Sequence, residues 1–122
     1  MRKRTLAVIA CTVLAFASVS TSFAAAPSKV PSRISIGYNA STELFHGKVR
    51  SSEAECRAER PVKVYQETAN GPALQGRVTT NADSGWKIEV MHADGHYWAV
   101  APEHKAMHGQ CGRAKSRIVD VM

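Results

Sequence analysis

The side chains of this 122-residue chain best suited to chemistry are five histidines, three cysteines and a few closely spaced glutamates. His92 and His96 flank Ala93-Asp94-Gly95, a three-residue stretch with glycine where a hairpin loop needs left-handed backbone. If two strands meet there, the imidazoles face each other with Cβ atoms about 4.5–5.5 Å apart. Such a pair would hold Zn²⁺ or Cu²⁺ only weakly, because a stable zinc site needs three or four ligands. His92 and His96 are therefore weak metal candidates, and solvated loop histidines are the plainer reading. A small hydrolase would need a polar pocket built around His92, His96 and Asp94. GxSxG is absent, and the histidine spacings lack the helical HExxH context. Glu53, Glu55 and Glu59 flank a cysteine and read as solvated loop carboxylates. No catalytic residue is assigned and no cofactor is expected.

The cysteines depend on compartment. Met1-Arg-Lys-Arg4 is followed by an 11-residue apolar run, Leu6–Phe16, and by small residues up to Ala26. That is the pattern of a secretory signal peptide. The apolar run is too short for a membrane span, which needs about 20 residues. Cleavage is expected after Ala24, with Ala26 the alternative. Cys11 lies within the apolar run, too early for lipidation, and leaves with the leader. Cys56 and Cys111 then remain. An exported chain meets an oxidising environment, where two cysteines read as one disulfide enclosing some 55 residues. Losing Arg2, Lys3 and Arg4 lowers the formal net charge from +6 to +3. A charge of +3 spread along the chain is no nucleic-acid footprint. After cleavage no membrane insertion is expected, because the C-terminal "IVDVM" is far too short to span.

The elements that must position these residues read as strands. Residues 25–42 carry two prolines and four serines and are expected to form a flexible arm, although Ile34, Ile36 and Tyr38 alternate and allow a short edge strand. From residue 43 onward, period-two segments are separated by turn chemistry. The strands are read at Glu43–Arg50, from Val62, at Leu74–Thr80, across Trp86-Ile88-Val90, at His96–Ala101 and at Lys115–Val121. Asn70-Gly71 and Asn81–Gly85 are turns. Pro102–Gly112 is read as a long loop. In the last strand the apolar parity conflicts at Ile118, which a bulge would resolve. Tyr97 and Trp98 must point to opposite faces. One of them is expected in the core; the other is exposed or semi-exposed as a contact for sugar or protein or, on the plainer reading, packed under a loop or the N-terminal arm. The fold class is an all-β, Ig-like or prealbumin-like antiparallel β-sandwich of about seven strands. The domains are leader 1–24, arm 25–42 and sandwich 43–122.

The order and spacing of "CRAERPVKVY", "TTNADSGWKIEV", "DGHYWAVA" and "CGRAKSRIVDV" resemble small exported bacterial domains of the carboxypeptidase regulatory-like class, over Leu44 to Val121. The resemblance implies a prealbumin-like sandwich and a secreted or surface module. Hydroxyisourate hydrolases share that sandwich but end in Tyr-Arg-Gly-Ser, which "SRIVDVM" lacks. The expected function is a secreted, non-enzymatic module that binds a protein or carbohydrate ligand at the cell surface, or serves the envelope structurally. A small secreted hydrolase and a weak metal binder are the alternatives. No nucleic acid partner is expected.

Overall fold

The computed structural model describes residues 29–122. The expected leader, and residues 25–28 of the expected arm, lie outside the described residues. In chain order the strands are β1 (Lys29–Val30), β2 (Ser32–Ile34), β3 (Gly37–Asn39), β4 (Leu44–Ser51), β5 (Pro61–Thr68) and β6 (Gly71–Thr79). They continue with β7 (Gly85–Glu89), β8 (Gly95–Ala101), β9 (His104–Ala106), β10 (Gly109–Cys111), β11 (Ala114–Lys115) and β12 (Val119–Val121). One 3₁₀ turn, Ala54–Cys56, lies between β4 and β5.

The strands build two main antiparallel sheets. In one, β4 lies between β7 and the pair β2 and β3. In the other, β8 lies between β5 and the pair β11 and β12, with β6 outside β5. Each pair is one edge strand interrupted by a serine. Ser35 N donates to the Lys48 carbonyl (2.9 Å), and the Ser35 hydroxyl accepts from Lys48 N (3.0 Å), replacing a ladder carbonyl. The Ser116 hydroxyl likewise accepts from Ala99 N at 2.8 Å. Beyond it the register against β8 shifts by one residue, which is the bulge that reconciles Ile118 with its neighbours. Counted as continuous edge strands, these elements give the expected seven. The other three strands form a small third sheet, β1-β10-β9.

Period-two alternation places one side of each main sheet against the other. Ile34, Ile36, Phe45, Val49, Trp86 and Ile88 come from the first sheet. Val62, Val64, Tyr97, Ala99, Ala101 and Val121 come from the second, an arrangement compatible with a β-sandwich. Tyr38, Phe45 and Tyr97 carry ring contacts through the core, at centroid separations of 4.6 and 4.7 Å. Gly47 must be glycine. A Cβ there would lie 1.9 Å from the Ser35 carbonyl oxygen and 2.9 Å from Trp86 Nε1.

Four expectations are corrected. Residues 29–42 are not a flexible arm: they form β1, β2 and β3, and Ile34 and Ile36 are core residues. The alternation of Ile34, Ile36 and Tyr38 outweighs the serines, because burial of the isoleucines and strand pairing with β4 and β10 act together against the entropy of ordering the segment. Pro102–Gly112 is not an irregular loop but contains the β9–β10 hairpin. Ala93–Gly95 is not a hairpin turn, since β7 pairs with β4 and β8 with β5, so the segment crosses between sheets. Gly95 is nonetheless left-handed, at φ +114°. Finally, Trp98 is not exposed, with only 6% of its surface accessible. On the outer face of its sheet it stacks on Tyr65 at 6.0 Å, and Lys115 Nζ lies 5.0 Å above the ring.

Candidate functional site

The hairpin that would oppose the candidate metal histidines is absent, since β7 pairs with β4 and β8 with β5. His92 takes left-handed backbone (φ 57°) and its N–H bonds the Glu43 carboxylate at 2.9 Å. His96 leaves from the outer face of β8, with Nδ1 2.9 Å from Asp120 Oδ1, its cross-strand partner. Asp94 is engaged through its backbone, which contacts the Tyr97 hydroxyl and accepts from Gln66 Nε2. Among the described residues no three His, Cys, Asp or Glu side chains are placed to share a metal ion.

The cysteines do meet. Cys56 ends the 3₁₀ turn and Cys111 ends β10, with Cα atoms 5.5 Å apart in a disulfide. The bond joins the β4–β5 connection to the β9–β10 hairpin, not the two ends of the domain. A buried cation reinforces it. Arg60 is fully buried. Its Nη1 donates to the Cys56 carbonyl and the Ser32 hydroxyl, both at 3.0 Å. Its Nη2 donates to the carbonyls of Gly112 (2.6 Å), Pro102 (2.9 Å) and Ala101 (3.4 Å). Burial lowers the pKa of this guanidinium, which still stays charged at any working pH. Arg60 thus supplies donors to carbonyls of three segments that meet at the disulfide.

Beside the disulfide, His108 Nδ1 lies 2.9 Å from Glu55 Oε2, and His108 N donates to Glu55 Oε1 at 3.1 Å. This double contact holds the Glu55 carboxyl below its usual range. The adjoining cavity, lined by Glu53, Glu55, Cys56 and His108, is about 30 Å³. That accommodates water rather than a substrate.

A larger feature lies elsewhere. On the outer face of the β2/β3–β4–β7 sheet, Arg33 stands directly opposite Arg50, and His46 directly opposite Lys87, with Lys48 between them on β4. The outward residues of β4 repeat at roughly 7 Å. β7 pairs with β4 as far as Lys48; beyond it Val49 N donates to the Ser84 carbonyl and the Ser51 carbonyl accepts from Arg57 Nη1. An open depression of about 750 Å³ lies here, lined by His46, Lys48, Arg50 and Lys87 and by Ser35, Thr79 and Asn81. Trp86 also lines it, buried, with Nε1 lacking a hydrogen-bond partner. A second depression of about 380 Å³ shares Arg50 and adds Arg33, Ser51 and Ser52. A third, of about 280 Å³, shares Val78 and Thr79 and adds Lys63 and Arg77, which are cross-strand neighbours on the other sheet.

The three depressions form one band of six Lys and Arg side chains. No carboxylate lines it, and none of the six forms a salt bridge among the described residues. Acidic groups gather by the disulfide instead, where Glu55 and Glu59 line a separate depression. Like charges placed directly opposite on a sheet are destabilising, so the Arg33–Arg50 pair does not stabilise the fold. Sequence reasoning missed this band. Its signal was the alternation His46-Lys48-Arg50 on β4, whose importance depends on strands distant in the chain. Comparisons with protein-family models, curated proteins and solved structures found no match for the chain.

Proposed function

We propose that this protein is a non-enzymatic binding module of the cell envelope or extracellular medium, built on a prealbumin-like β-sandwich, that holds an anionic ligand along the cationic band. The observation that carries this reading is the band itself: six cations in three contiguous depressions, without a carboxylate partner. The Cys56–Cys111 disulfide supports the placement outside the cytoplasm, where such bonds persist. The disulfide and the Arg60 contacts also give a rigid frame, which lowers the ordering cost of binding.

Retention on a sulfonate cation exchanger tests the reading. Arg33→Glu/Arg50→Glu and Lys105→Glu/Arg113→Glu carry the same net charge, but only the first lies in the band. The first is expected to elute at clearly lower salt than the second. Equal elution would mean that net charge alone governs anion binding, and the reading fails.

A further inference from the structure

We infer that the occupant of the band is a linear acidic polysaccharide; this rests on the anion-binding reading above. Three observations select that chemistry. First, the band is not flat. It starts on the outer face of one sheet at Arg33 and Arg50 and passes the open edge between β7 and β6. It ends on the other sheet at Lys63 and Arg77. A planar lipid surface would meet one of those faces at a time, whereas a chain can follow both.

Second, beside apolar Val78 and Trp86, the lining between the cations includes the exposed hydroxyls of Ser52 and Thr79 and the amide of Asn81. These groups suit a ligand that presents hydroxyls between its charges, as a uronate polymer does. Third, the band offers no stacking platform. Its only aromatic ring apart from His46 is Trp86, which is buried. Single-stranded nucleic acid binders draw much of their affinity from bases stacked on exposed rings, and a carboxylated glycan does not need them.

The test uses the oxidised full chain expressed with its own leader, titrated calorimetrically with polygalacturonate. Dextran, oligo-dT and phosphatidylglycerol vesicles are run in parallel. Polygalacturonate is expected to bind more tightly than the other three, with affinity falling roughly a hundredfold or more when salt rises from 50 to 200 mM. Arg33→Gln/Arg50→Gln is expected to weaken binding about tenfold or more while its melting temperature holds or rises, because a like-charge pair is removed. Lys105→Gln/Arg113→Gln, outside the band, should bind as the parent does.

Binding of oligo-dT or vesicles as tight as that of polygalacturonate overturns the glycan assignment and leaves the anion-binding reading standing. Binding that survives Arg33→Gln/Arg50→Gln overturns both, as does the absence of binding to any polyanion.

Discussion

Replacing Arg60 by methionine removes the most connected side chain beside the disulfide while keeping most of its volume. Four backbone carbonyls and the Ser32 hydroxyl lose a charged donor, two of the contacts being 2.9 Å or shorter. Hydrogen bonds to charged groups contribute about 1.5–3 kcal/mol each, so four good contacts would sum to roughly 6–12 kcal/mol. That sum is too large, because methionine also relieves the cost of burying a cation with no carboxylate beside it, itself several kcal/mol. The expected net loss is about 3–5 kcal/mol, because the freed carbonyls are left without donors at about 1–3 kcal/mol each, partly offset by removal of the buried cation. For a domain of this size that is roughly 15 °C or more in melting temperature. Arg60→Lys should recover only part, since an ammonium lacks the planar fork that reaches both the Cys56 and Gly112 sides.

Urea unfolding of the oxidised protein, followed by the fluorescence of the buried Trp86 and Trp98, gives the number. A cycle with Cys56→Ala/Cys111→Ala adds a second readout. Arg60 and the disulfide restrain the same segments, so their effects should fall short of additivity by about 1 kcal/mol or more. An Arg60→Met cost below about 1 kcal/mol would refute the reasoning, because it would mean that those carbonyls do not depend on the guanidinium.

Two further outcomes follow from the same end of the fold. Cys56→Ser should lower stability by about 2–5 kcal/mol, since the bond closes a 55-residue separation; thiol titration of the unreduced parent should find the Cys56 and Cys111 thiols unreactive. His108→Ala should return the Glu55 carboxyl toward its ordinary value of 4.5, from the lowered pKa that the His108 contacts produce. Because the folded-state pKa is depressed, the contribution of Glu55 is present above about pH 4.5 and is lost as pH falls through the lower folded value. Carboxyl titration by NMR and acid unfolding of parent and variant check both statements.

The sequence by itself determined most strands of the two main sheets and the disulfide pair. Trp86-Lys87-Ile88 alternates apolar and charged residues, so a strand with one buried face follows from the period of two. Asn81–Gly85 turns as its side-chain chemistry requires, with Asn81 Oδ1 accepting from the backbone N–H of Asp83 and Gly85. Cys56 and Cys111 are the two cysteines that follow the apolar Leu6–Phe16 run, and two cysteines leave one pairing. Only the tertiary structure decided which strands became neighbours. Alternation names the buried face of a strand but not its partner, so the segment after β7 could read as a hairpin while it crosses to the other sheet. His92 and His96 lost their expected hairpin for that reason.

Arg60 is buried, its guanidinium donating to the carbonyls of Cys56, Pro102 and Gly112 that tertiary contact gathers at the disulfide. The cationic band was hidden in the sequence, since Arg33, Lys48, Lys63, Arg77 and Lys87 are dispersed along the chain. Averaged over the sequence their charge is ordinary; strand register gathers it into one band that runs from one sheet to the other.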